Sequence, residues 1–199
     1  MARDILYIAL GYMCGSILFA RLFGALIKTD VTRNAPDGNP GAANAFKNGG
    51  FWCGALTLCG DILKGALPVH LYLAGEVSTA LALVLAAPVI GHVFPLFYGF
   101  KGGKGIACTF GCLLGLFPMV EPLLALALFF IFFSVILRIT PTYHRTLVTY
   151  LCAELTIVFL LKMPVIAVGF TLIFLAVGYR MLKSPEEKAR CRVGVLWMH

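Results

Sequence analysis

The chain has 199 residues, 60% of them hydrophobic and only 13% charged, with a mean hydropathy of +0.93. A soluble domain carries about a quarter charged residues, so this composition excludes an ordinary water-soluble globule and indicates a polytopic membrane protein. The formal net charge of +7 lies in the connections between apolar runs, which is a pattern of membrane orientation and excludes nucleic acid as a partner.

The first apolar run covers residues 5–27. It is expected to be a retained helix and not a cleaved leader. Arg3 is offset by Asp4, and Arg21 interrupts the run before any small-residue cleavage site. The loop that follows, from Arg33 to Lys47, is dense in Gly, Asn, Asp and Pro, the residues that build turns. A solvated connector would need none of its amides. A long loop between membrane helices that carries Asn39, Asn44 and flanking cations points to a working segment.

The second run, 51–73, contains Asp61 and Lys64. Three residues apart, they share one helix face and can pair. Charges inside a bilayer helix are costly and face the bundle interior, so the pair either fixes packing or supports a site. The third run, 79–97, ends near His92. A lone histidine is more often packed than catalytic, but Gly91 and Pro95 would bend the backbone and hold the ring toward the next loop.

That loop reads Lys101-Gly102-Gly103-Lys104-Gly105. Three glycines leave backbone N–H groups bare beside two cations, which is the chemistry of a phosphate cradle. It is not a Walker A loop, because the G-x-x-x-x-G-K-[ST] spacing is missing and no strand precedes it.

The remaining runs are 106–117, 123–137, 147–161 and 165–182, the first three short for a full crossing. Glu154 lies inside the sixth run, and a structural contact to Arg21, Lys64 or an internal hydroxyl is expected for it. His70, His144 and His199 gather no metal-like partners, so no metal site is expected. The seven cysteines read as small buried thiols.

The runs therefore predict an all-α polytopic membrane protein with about seven transmembrane helices, or five if short pairs merge. It forms one domain, 1–199. Twelve of the 16 Lys and Arg residues fall on one side if the first helix runs inward, against Arg3 and Lys162 on the other. This places the N-terminus outside and the C-terminus in the cytoplasm, with the glycine-lysine loop on the cytoplasmic face.

Asp37-Gly38-Asn39-Pro40-Gly41-Ala42-Ala43-Asn44, then Asp61-x-x-Lys64-Gly65, then the block from Gly91-His92-x-x-Pro95 to Gly105 occur in the order and spacing of a known family. The chain resembles the bacterial acyl-phosphate:glycerol-3-phosphate acyltransferases of the PlsY type, over its whole length. The resemblance implies transfer of a fatty acyl group from acyl-phosphate to the 1-hydroxyl of glycerol 3-phosphate. The products would be lysophosphatidic acid and inorganic phosphate, made in phospholipid synthesis at the bacterial plasma membrane. No cofactor or metal is implied. Association with other lipid-synthesis enzymes is a further expectation.

His92 and Asp37 are the expected catalytic residues. Lys104, Lys101, Gly102, Gly103, Gly105, Lys47, Asn39 and Asn44 are expected to bind phosphate. Asp61, Lys64 and Ser184 are expected to support them.

The chain also departs from the family pattern. Pro36-Asp37-Gly38-Asn39 stands where the family has Gly-Ser-Gly-Asn, so Asp37 replaces a functional serine. Ala43 replaces a threonine and Lys47 an arginine. Arg180-Met181-Leu182-Lys183-Ser184 stands where an Arg-His-x-x-Asn pattern is usual. If Asp37 meets His92, the two would act as a base on the acceptor hydroxyl. These changes leave two alternatives open: a non-catalytic member that binds phosphorylated lipid or a partner, and a small anion transporter.

Overall fold

The computed structural model describes residues 1–33, 38–183 and 191–195. Each of the seven apolar runs carries helix. The first is broken into α1 (Ala2–Gly15) and α2 (Phe19–Leu26), which meet at 42°. The break is held by Ser16, whose hydroxyl donates to the Tyr12 carbonyl at 2.8 Å and accepts from the Leu96 N–H at 3.2 Å. The next helix, α3 (Ala42–Leu73), is two pieces joined at Gly50, with φ +83° and ψ 178°. Only glycine enters that region without strain, so the short helix 42–49 can turn off the span 51–73.

After α4 (Leu81–Val93) and a single turn at Leu96–Tyr98 comes α5 (Ile106–Leu114), only 9 residues long. The chain returns through α6 (Glu121–Ile131), which widens into a π-helical turn at Phe132–Ile136. Then follow α7 (Thr142–Leu155), extended by a π-helical stretch at Thr156–Leu161, and α8 (Pro164–Lys183).

The all-α expectation needs one correction. Strand β1 (Leu137–Thr140) pairs antiparallel with β2 (Arg192–Val195), placing Leu137 opposite Val195 and Ile139 opposite Val193. Branched apolar residues facing each other across the ladder favour this ribbon over a further helical turn.

Leu81–Tyr98, Thr142–Leu161 and Pro164–Lys183 are long and apolar enough to cross a membrane, and α1 with α2 is so when the bent pair is taken as one span. At 1.5 Å per residue the 51–73 piece of α3 is also about 34 Å long. Large apolar side chains such as Leu6, Phe159, Leu160 and Leu175 point outward, as expected where the surrounding solvent is lipid. The interior is filled by Tyr72, Leu85, Leu113, Tyr150, Phe170 and Ile173.

Helix backbones approach closely where side chains vanish. A Cβ on Gly15 would lie 2.1 Å from the Pro88 carbonyl oxygen, and one on Gly111 2.1 Å from that of Ile62. These contacts set α1 alongside α4 and α5 alongside α3.

The two ends of the bundle differ. At one end, the Arg3 guanidinium caps α3 by donating to the Tyr72 and Glu76 carbonyls and lies over the Tyr7 and Tyr72 rings. Asp4 accepts from the Tyr72 hydroxyl at 2.7 Å. The other end gathers the first loop, the glycine-lysine loop and the β ribbon. There, Asn48 donates to the Val31 carbonyl at 2.8 Å, and Arg180 Nε donates to the Gly102 carbonyl at 3.1 Å.

Candidate functional site

The site is organised by the C-terminus of α4. Beyond Phe94 the chain doubles back, and the glycine-lysine loop bonds to the helix end. The Gly103 N–H donates to the His92 carbonyl at 3.0 Å and the Gly102 N–H to the Val93 carbonyl at 3.2 Å. The Lys101 N–H donates to the Tyr98 carbonyl at 3.2 Å. The bare loop N–H groups expected from the sequence are therefore taken at these three positions. Open donors begin at the next helix. Gly105, with φ +81°, is the N-cap of α5, and the first-turn N–H groups of a helix have no intrahelical partner. Ile106 and Ala107 of that turn border a cavity of about 420 Å³.

His92 is buried at the head of this cavity, with 3% of its surface exposed. Its ring lies against Gly103, where a Cβ would come within 2.2 Å of Nε2. On the opposite edge, Nδ1 is 3.6 Å from Asp61 Oδ1, too far for a hydrogen bond. Asp61 is held by Lys64 at 2.7 Å, the i,i+3 pairing expected from the sequence. Lys64 also donates to the Ile17 carbonyl in the break between α1 and α2. Both side chains are almost fully buried, so the pair ties α3 to the kink of the first span and lies behind His92.

Asn39, Asn44 and Lys104 line the same cavity, and Asn44 Nδ2 donates to the Asn39 carbonyl at 2.8 Å. The apolar side of the lining is Leu58, Ile106, Phe110 and Phe130, with Phe110 and Phe130 edge-to-face at 5.9 Å.

Not every expected site residue is here. Lys101 and Gly102 border a separate cleft of about 600 Å³ with Arg21, Arg180 and Lys183, so the two lysines of the loop serve different spaces. Lys47 is exposed and does not line the cavity. Asp37 and Ser184 lie outside the described residues. Among the described residues the carboxylate beside His92 is Asp61. Glu154 takes the internal hydroxyl as its partner, accepting from Thr171 at 2.5 Å, and lies away from the cavity.

Sequence reasoning missed Arg145 as a site residue. His144 and Arg145 fall between the apolar runs 123–137 and 147–161, but both belong to the first turn of α7. Arg145 lines the cavity, stands 5.8 Å from the Phe130 ring centroid and reaches Thr142 Oγ1 at 3.5 Å. Its Nε is buried without a hydrogen-bond partner. The sequence held no signal for it: its place at the positive end of a helix, where the macrodipole disfavours a cation, shows only once α7 starts at Thr142.

Comparison with known proteins follows the same lines. The family model described as Glycerol-3-phosphate acyltransferase matches residues 5–187. Glycerol-3-phosphate acyltransferases of Shewanella putrefaciens and Shewanella oneidensis are 41% and 40% identical over 114 residues, covering 57% of this chain and 56% of each relative. The chain thus aligns with little more than half the length of these curated relatives. Two crystal structures of PlsY (YgiH), described as an integral membrane glycerol 3-phosphate acyltransferase, share the fold. The glycerol 3-phosphate form gives a TM-score of 0.77 at 27% identity, covering 90% of this chain and 88% of that one. The lysophosphatidic acid form gives 0.75 at 26%, covering 89% and 87%.

Proposed function

Because this chain belongs to the glycerol-3-phosphate acyltransferase family, we propose that it is a membrane acyltransferase that uses acyl-phosphate to acylate the 1-hydroxyl of glycerol 3-phosphate. The observation that carries this reading is the cavity itself. A buried histidine, a lysine and a helix N-terminus line one pocket together with the rings of Phe110 and Phe130. Anions bind at helix N-termini, and an apolar wall suits an acyl chain.

In this reading Lys104 and the first turn of α5 hold a phosphate. Asn39 and Asn44 orient the glycerol hydroxyls. The 1-hydroxyl oxygen attacks the acyl carbonyl carbon, an ester C–O bond forms, and the acyl C–O bond to phosphate breaks. The departing phosphate carries away the hydroxyl proton, so no protein base is needed. His92, fixed between Gly103 and Asp61, orients the reacting groups from Nε2. Holding both reactants in line supplies most of the acceleration.

The chain works as one domain in the bacterial plasma membrane, with seven crossings and the site end toward the cytoplasm. The gathering of Arg33, Lys101, Lys104, Arg138 and Arg180 at that end supports this orientation.

The test is direct. Purified protein should convert acyl-phosphate and glycerol 3-phosphate to lysophosphatidic acid and inorganic phosphate in equal amounts, read by mass spectrometry and phosphate release. Folded protein that binds glycerol 3-phosphate but forms no product would make this a binding member of the family.

A further inference from the structure

We propose that Arg145 is a second anion anchor in the cavity, dedicated to the phosphate of the acyl-bearing substrate. The proposal rests on the acyltransferase reading above and assigns that reaction's two phosphorylated substrates to two different cations.

Arg145 and Lys104 are carried by different elements, the first turn of α7 and the loop before α5, yet both border one cavity. Among the described residues no carboxylate lies within ion-pair distance of Arg145. Its contacts are a long bond to Thr142 Oγ1 and the face of Phe130. Its Nε is buried without a hydrogen-bond partner, an arrangement a guanidinium tolerates poorly unless a ligand completes it. The position also runs against the helix dipole, so α7 itself gains nothing from a cation there. A planar fork of donors on an otherwise unpaired guanidinium matches a phosphate dianion.

The location selects which phosphate. Lys104 adjoins the N-cap of α5 in the chain and shares the cavity with Asn39 and Asn44, groups that suit a small polyol phosphate with no apolar part. Arg145 stands against Phe130, whose ring contacts Phe110 on the apolar wall. An amphiphile that lays its chain along that wall presents its head group at the wall's edge, where the guanidinium is. Two cations on the lining of one cavity also relieve the repulsion between two phosphorylated substrates bound side by side.

The experiment compares Arg145→Gln and Arg145→Lys with the parent protein in detergent, with thermal unfolding as the folding control. Loss of a charge-assisted contact predicts a rise of about tenfold or more in KM for acyl-phosphate. KM for glycerol 3-phosphate should stay within about twofold, and Arg145→Lys should recover part of the loss. Calorimetric binding of dodecyl phosphonate, which cannot transfer an acyl group, gives a readout independent of turnover. Weaker phosphonate binding in Arg145→Gln supports the anchor even if the parent protein proves inactive. A KM rise for glycerol 3-phosphate instead, or unchanged phosphonate binding in folded Arg145→Gln, overturns the proposal.

Discussion

At Gly103 the absence of a side chain has a measurable role. A methyl there would enter the space of the His92 ring at 2.2 Å from Nε2, and the ring cannot retreat without disturbing Asp61 behind it. Gly103→Ala should therefore lower kcat/KM by about tenfold or more, because a misplacement of about 1 Å at a reacting group can cost about a hundredfold. Full activity in the folded variant would remove His92 from the site. Asp61 and Lys64 call for a paired test. Removing one partner of a buried ion pair leaves an uncompensated charge, at a cost of about 3–5 kcal/mol, whereas removing both is far milder. Asp61→Leu should thus lower the unfolding midpoint strongly, and Asp61→Leu combined with Lys64→Leu should restore most of it. Equal losses in the two proteins would show that the charges are not coupled.

Among the elements, α3 carries the clearest positional constraint. Gly50 lets the helix 42–49 fold away from the span and bring Asn44 to the cavity. Gly50→Ala forces a side chain into a region that costs about 1–3 kcal/mol. The expected result is a lower unfolding temperature together with a higher KM for glycerol 3-phosphate, because the short helix that carries Asn44 must shift. The same element shows what the sequence reveals and what it hides. Asp61 and Lys64 were legible as a pair from their spacing, and His92 from its place before the glycine-lysine loop. The loop's own N–H groups were misjudged, because sequence cannot show that a chain doubles back onto its preceding helix. Arg145 went unseen as a site residue for a related reason. It falls between two apolar runs of the sequence, and only the fold brings it to the cavity that Lys104 lines. The β ribbon was hidden because its partners lie far apart in sequence, and local preference alone does not join Leu137 to Val195.

For the whole molecule, the two dissimilar ends make orientation testable. Single cysteines introduced at Lys47 and Lys101, in a background lacking the native thiols, should react with a membrane-impermeant maleimide from the same side. A cysteine at Glu76 should react from the other. Labelling of all three from one side would refute the proposed topology.

The feature with the widest reach is the depth of the cavity. Asp61 lies ten residues into the 51–73 span, about 15 Å along its axis at 1.5 Å per residue, and lines the cavity together with the first turn of the short α5. In the proposed topology the reacting atoms therefore lie below the level of the surrounding lipid head groups. In the proposed reaction glycerol 3-phosphate would have to descend from the polar end of the bundle to reach them. The acyl chain of the donor, by contrast, would stay at the level of its neighbours' tails throughout. The product of that transfer would then stand in the leaflet with its charged end at the cavity and its tail among tails. It would leave sideways between helices without ever being lifted through water.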